Sequence, residues 1–254
     1  MNVLVAKTAN DAERIAYSLI KERISGKHDF VLGLATGSTP VGMYQMFKQD
    51  ALDCSHVTSV NLDEYIGLSP EHPQSYNRFM KDRLFDEVPF KQSHLPQGDA
   101  PDPEAEAARY EGLVRKLGVD LQLLGIGENG HIAFNEPGTA LDAKTHVTKL
   151  TESTREANRR FFDRLEDVPT HAITMGLDTI MNAREIVLVA TGERKAEAVQ
   201  HMIESVPTVD WPATILQAHP GVTVVLDEAA ASRCAEALQA RGQEAATRFF
   251  TIRA

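Results

Sequence analysis

The stretch Phe30-Val-Leu-Gly-Leu-Ala-Thr-Gly-Ser-Thr-Pro40 carries the reading of the fold. An apolar run over residues 30–35 gives way to a turn of small and hydroxyl-bearing residues, then to a proline. Proline suits the first turn of a helix, where its missing N–H costs nothing and its fixed φ is already helical. Strand, tight turn and helix together make the unit from which parallel sheets are built. Outward from it the same alternation runs along the chain. Candidate strands cover residues 3–5, 30–35, 57–62, 121–126, 172–175, 186–190 and 222–226. Most are continuously apolar, as strands buried on both faces of a parallel sheet are. Between them Asn10 is placed to cap a helix carrying Ile15, Leu19 and Ile20, with Gly26 as its stop. Asp102 and Pro103 open another that ends near Gly118, and Ser153 with Glu156 forms a capping box ahead of Phe161, Phe162 and Leu165. Residues 88–103 hold four prolines and one glycine and read as a surface crossover loop rather than a linker, because composition does not shift across them. The expected fold is α/β, a doubly wound, Rossmann-like three-layer sandwich with a mainly parallel central sheet, in one domain over residues 1–254.

Of the 254 residues 43% are hydrophobic and 24% charged, enough for one large core. The opening residues carry no basic leader, and no apolar run approaches the length of a membrane span. Cys54 and Cys234 stand far apart and outside any metal-ligand spacing, which suggests neither a disulfide framework nor a zinc site and points to a reducing, cytoplasmic setting. The formal net charge of −10 argues against a nucleic-acid partner. It does not exclude a small phosphorylated substrate, because distant surface charge is screened beyond about 8 Å while groups in a pocket act at contact.

Unusual polar residues fall just after the candidate strands, where open α/β sheets bind ligands. Thr36, Gly37, Ser38 and Thr39 form a turn whose amides and hydroxyls can cradle an oxyanion at a helix N-terminus, although a capped turn without ligand has the same composition. Asp63, in Val60-Asn-Leu-Asp-Glu-Tyr65, is a candidate general base or, alternatively, a turn aspartate. The loop Gly125-Ile-Gly-Glu-Asn-Gly-His-Ile-Ala-Phe-Asn-Glu-Pro-Gly138 brings Asn129, His131 and Glu136 into one segment. Neighbours that hold one ring nitrogen of a histidine make it a proton shuttle near neutral pH, and a loop histidine satisfied structurally is the plainer reading. No second His or Cys stands at ligand spacing, so no metal is assigned. Lys195 lies just past the strand 186–190, and Arg155, Arg159 and Arg160 line the helix after Thr151. A well-placed cation contributes about 1.5–3 kcal/mol to holding a phosphate, more than a helix dipole does.

Taken together these segments resemble the glucosamine-6-phosphate deaminase family, also called glucosamine-6-phosphate isomerase (deaminating). The resemblance rests on Leu32 to Pro40, Asn61 to Leu68 with His72-Pro-Gln-Ser-Tyr76, the loop Gly125 to Pro137, the stretch Arg155 to Asp163, Ala172-Ile-Thr-Met-Gly176 and Trp211, in the family's order over almost the whole chain. It implies that Asp63 moves the C2 proton, that His131 opens the sugar ring, and that Glu136 and Asn129 orient that histidine. Thr36, Gly37, Ser38, Thr39, Arg160 and Lys195 would hold the 6-phosphate. The implied reaction turns glucosamine 6-phosphate and water into fructose 6-phosphate and ammonia without metal or organic cofactor. Residues 139–169 would form a mobile lid carrying Arg160. Many relatives have an aspartate where this chain has Asn129, and an amide can hold a ring N–H but cannot stabilise an imidazolium by charge. Longer hexameric relatives bind an N-acetylated sugar-phosphate activator through basic residues soon after the Asn-Glu-Pro motif and a longer tail. Here that stretch reads Thr145-His-Val-Thr148 and the chain ends at Ala254, so a monomer or small homo-oligomer without such activation is expected, with no nucleic-acid or membrane partner. Two other readings share the fold. A 6-phosphogluconolactonase needs no C2 base, and a sugar-phosphate-sensing module normally adds a helix-turn-helix region, for which a first strand starting at Val3 leaves no room.

Overall fold

The computed structural model describes residues 1–234, so the chain end at Ala254, part of the expectation about regulation, lies outside the described residues. The apolar runs form the strands β1 (Asn2–Ala6), β2 (Phe30–Leu34), β3 (Cys54–Asn61), β6 (Leu121–Leu124), β9 (Glu185–Ala190) and β10 (Val222–Asp227). With β5 (Phe90–His94) they make a seven-stranded sheet in the order β1-β10-β9-β6-β2-β3-β5, parallel throughout. Helices flank it on both sides, and the α-helices of the described residues are α1 (Ala9–Ser25), α2 (Val41–Gln49), α3 (Tyr76–Met80), α4 (Pro103–Leu117), α5 (Glu152–Asn158), α6 (Leu177–Met181) and α7 (Ala196–Glu204). Strand β2 lies between β3, which follows it in the chain, and β6, to which the chain returns after β5. Such a reversal of direction opens a crevice beyond the carboxyl ends of the two strands, so the segments after β2 and β6 face each other there.

Three short strands, β4 (Asp63–Tyr65), β7 (His146–Lys149) and β8 (His171–Thr174), form a second, antiparallel sheet in the order β4-β8-β7. A small apolar cluster of Tyr65, Phe134, Leu150 and Ala172, with Tyr76 and Phe162 against it, binds this sheet to the loop after β6.

The structure corrects four expectations. Residues 172–174 do lie in a strand, β8, but in the antiparallel sheet rather than the parallel one, and Met175 falls just past its end. The stretch 88–103 is not wholly loop. It contains β5, an edge strand whose middle residues Lys91, Gln92 and Ser93 face solvent and so carry no apolar signature. Helix α1 is capped by Thr8, whose side chain accepts from the Asp11 amide at 3.2 Å, because Asn10 already lies inside the first turn. Helix α5 is likewise capped by Thr151, which accepts from the Thr154 amide at 3.2 Å, leaving Ser153 within the helix. The ends of α4 follow the sequence directly: Asp102 caps it, Pro103 begins it and Gly118 ends it. No described helix is long and apolar enough to cross a membrane.

Candidate active site

Asp63 begins β4, one residue past the bend that ends β3, with the Leu62 amide bonded to the Leu34 carbonyl at 3.3 Å. That bond places the carboxylate strand beside the end of β2 and its turn. The Asp63 side chain is buried, and burial first and the neighbouring Glu64 second push its pKa up to about 8. Glu64, adjacent in sequence, has a different task. Its carboxylate accepts from the amides of Tyr76 and Asn77 at 2.9 and 2.8 Å and from its neighbour Tyr65 at 2.9 Å, so it holds the start of α3. Burial raises its pKa to about 7 against the pull of those three donors. Tyr76 is thereby fixed beside Tyr65, their hydroxyls 3.3 Å apart, and its ring stacks on Phe134. Thr36, in the turn after β2, lies close enough to the Tyr76 hydroxyl to oppose the rise in pKa that burial causes.

The loop after β6 folds back on itself. Gly127 and His131 are joined by a backbone bond of 2.8 Å, and the imidazole lies flat against Gly127, where a Cβ would stand 2.3 Å from its Cε1. A side chain at this position would expel the ring. The Asn129 amide group donates to Glu136 Oε2 at 2.8 Å while its oxygen accepts from the His131 backbone N–H at 3.3 Å. His131 Nδ1 lies 3.4 Å from the same Glu136 oxygen, at the outer edge of hydrogen-bonding range. The Thr154 hydroxyl donates to Glu136 Oε1. Burial alone would raise the Glu136 pKa, but His131, Thr154 and Asn129 outweigh it and hold the carboxyl at about 2. Glu136 is therefore held as an anion at neutral pH.

Asp63 and the histidine loop share an anchor. Thr174 pairs with Asp63 across the small sheet, and its hydroxyl accepts from the Phe134 amide at 3.1 Å. One residue further, Met175 donates its amide to the Leu62 carbonyl at 2.7 Å and accepts from the Asn135 side chain at 2.8 Å. The turn 36–39 lies against the same loop, Thr39 Oγ1 standing 3.6 Å from the place of a Cβ on Gly125. Among the described residues the amides of Gly37, Ser38 and Thr39 have no acceptor within the protein. Arg160 reaches across to Ser38, Nη2 to Oγ 3.5 Å. Lys195 is half-buried, and burial lowers its pKa; Glu128 opposes that shift, while Arg194 and Arg160 add to it. The structure thus brings Asn129, His131 and Glu136 into direct contact and sets Arg160 near both Ser38 and Lys195. Arg155 does not join them, since its guanidinium bonds the carbonyls of Leu165 and Val168 at 3.0 and 3.2 Å. Glu64, Thr154 and Gly127 were not singled out from sequence. Gly127 shows there as the second glycine of a Gly-x-Gly pair and Glu64 as the second of two adjacent carboxylates.

The fold and the placement of these groups define a doubly wound α/β protein with its polar loops gathered at the switch point of a parallel sheet. The family model described as glucosamine-6-phosphate isomerases/6-phosphogluconolactonase matches residues 4–225, and the chain belongs to that family. A glucosamine-6-phosphate deaminase of an Exiguobacterium species is 98% identical over 253 residues, covering 100% of both chains. Another, of Exiguobacterium sibiricum, is 58% identical over 250 residues, covering 98% of this chain and 99% of that protein. The solved structure of a monomeric glucosamine-6-phosphate deaminase matches with a TM-score of 0.89 at 45% identity over 92% of this chain and 100% of that one. A 6-phosphogluconolactonase from Trypanosoma cruzi shares the fold, with a TM-score of 0.75 at 19% identity over 92% of this chain and 97% of that one.

Proposed function

We propose that this chain converts glucosamine 6-phosphate and water into fructose 6-phosphate and ammonia. The observation that carries the reading is the common anchor at Thr174, which ties the strand of Asp63 to the loop of His131 beside the turn 36–39. The phosphate is held by the turn amides, the hydroxyls of Thr36, Ser38 and Thr39, and the cations Arg160 and Lys195. His131, oriented by Asn129 and by the permanent anion Glu136, takes the proton of the C1 hydroxyl and returns one to the ring oxygen, which opens the sugar. Asp63 then removes the C2 proton and delivers it to C1 through an enolamine. Water adds to the resulting imine carbon and ammonia leaves.

A carboxyl with a pKa of about 8 is a far stronger base, once ionised, than an ordinary aspartate. The cationic amine that the substrate brings to C2 favours that ionised form on binding. Mixing the protein with glucosamine 6-phosphate should release ammonia and fructose 6-phosphate together. Hydrolysis of 6-phosphogluconolactone without ammonia release would replace this reading by the lactonase one, and binding without turnover by the sensing one.

Residues 139–169 act as a lid, with Arg160 closing on the phosphate; sugar phosphate should slow their proteolysis, and an equal rate with and without it would count against closure. The protein acts as one cytoplasmic domain over residues 1–254, a monomer or small homo-oligomer. The hydroxyl and amide of Thr145 are both spent on Glu111, at 2.6 and 3.0 Å, where an activator site would need cations. Kinetics should accordingly be hyperbolic and unmoved by N-acetylglucosamine 6-phosphate.

A further inference from the structure

We infer that Asp227 is a positioning residue for Lys195, mooring the turn that brings this ammonium to the phosphate and so setting the affinity for it. The inference rests on the reading of Lys195 as a phosphate contact.

Asp227 is the last residue of β10, buried, and lies next to the end of β9 because Leu226 pairs with Ala190. Its two carboxylate oxygens share the Gly192 N–H, each at 3.0 Å, and Oδ1 also accepts from the Ala230 amide at 2.8 Å. Gly192 sits at φ 88°, a conformation that residues with a Cβ rarely adopt. Its carbonyl accepts from the Lys195 amide at 3.0 Å, closing the short helix Glu193–Lys195. Gly192 is therefore held on both sides, by Asp227 through its N–H and by Lys195 through its carbonyl. Among the described residues no carboxylate stands within ion-pair distance of the Lys195 ammonium, Glu128 pairing with Arg194 and acting on Lys195 only from further away, so the backbone turn is what fixes the start of this side chain. A carboxylate suits the post because it only accepts. An amide keeps the clamp only when its single oxygen faces both N–H groups, and alanine leaves both without an acceptor.

The test compares Asp227→Ala, Asp227→Asn, Gly192→Ala, Lys195→Met and the double variant Asp227→Ala/Lys195→Met in steady-state kinetics with glucosamine 6-phosphate. Inhibition by inorganic phosphate and thermal unfolding are measured alongside. Lys195→Met should raise KM about ten- to a hundredfold, the loss of one charge-assisted contact. Asp227→Ala should raise KM and the phosphate inhibition constant together, roughly tenfold, with a much smaller change in kcat, because the contact is made in ground and transition states alike. Asp227→Asn should restore most of the affinity. The double variant should bind no worse than Lys195→Met alone, since both act on one contact. Gly192→Ala strains the same turn without touching the buried carboxylate, and it decides the matter if Asp227→Ala does not fold. A lowered melting temperature with unchanged KM in Asp227→Ala or Gly192→Ala, or additive effects in the double variant, would overturn the inference. An unchanged KM in Lys195→Met would instead remove the phosphate role of Lys195, and the inference with it.

Discussion

Asp63 and Glu136 are both buried residues, 6% and 5% exposed, yet their surroundings push one pKa up to about 8 and the other down to about 2. Both pay the cost of leaving water. Around Asp63 little offsets that cost, and Glu64 adds to it; around Glu136 His131, Thr154 and Asn129 reverse it. Burial raises the pKa of all three buried carboxyls; Glu64, with three backbone amides on it, is still lifted to about 7, and only the side-chain donors and the histidine facing Glu136 reverse the shift. On the proposed reading, two carboxyls pushed apart in this way would take two roles, a base that can be charged on demand and a fixed anion that steers a histidine.

The contrast can be broken most severely at Asp63. Asp63→Asn should lower kcat by about a thousandfold, as loss of a general base does, while fructose 6-phosphate still binds in a titration. Near-normal turnover would leave the site without its base. Next comes Glu136→Gln, which should lower kcat by about a hundredfold through misdirection of His131. The folded-state pKa of Glu136 is depressed, so its stabilisation is present above its ordinary value of 4.5 and is lost as pH falls through about 2. The variant should therefore melt below the parent at pH 7 and approach it in strong acid.

The pH dependence of the parent sharpens the other half. The raised pKa of Asp63 keeps a proton on the native state that the unfolded chain releases above 3.8. Its contribution to stability is full below that value and is lost as pH rises through about 8, whereas kcat/KM should climb over the same range as the base ionises. Melting curves and rates from pH 6 to 9 check both slopes, and Asp63→Asn should flatten the first. The smallest effect is expected from Asn129→Asp. A second carboxylate beside Glu136 should raise the apparent pKa of the pair and change kcat by less than about tenfold.

The parts of this site that were legible in the sequence are those in which one residue type can do only one thing. Continuous apolar runs such as Ile186-Val-Leu-Val-Ala190 can be satisfied only inside a sheet, and they were readable. The contact among Asn129, His131 and Glu136 follows from their spacing on one loop, whereas the composition of the turn 36–39 fits a capped turn and an anion cradle alike. Strand β5 was not, because an edge strand with polar residues on its open side resembles a loop, and β4 and β7 are too short to set up a period. Glu64 and Asp63 are indistinguishable in sequence. Their separation into helix anchor and isolated acid depends on backbone amides brought from Tyr76 and Asn77. The same holds for Asp227, whose partner Gly192 lies on another strand end. Long-range backbone contacts leave no local pattern, and the chemistry assigned by such contacts is what sequence reading passes over.

The crevice between β2 and β6 joins strands that are neighbours in space but distant along the chain. Closing so long a loop is slow compared with winding the local helices, and no fragment holding only one of the two strands contains both halves of the crevice. On dilution from denaturant, turnover should return later than helical circular dichroism, making catalysis a reporter for the last non-local step of folding.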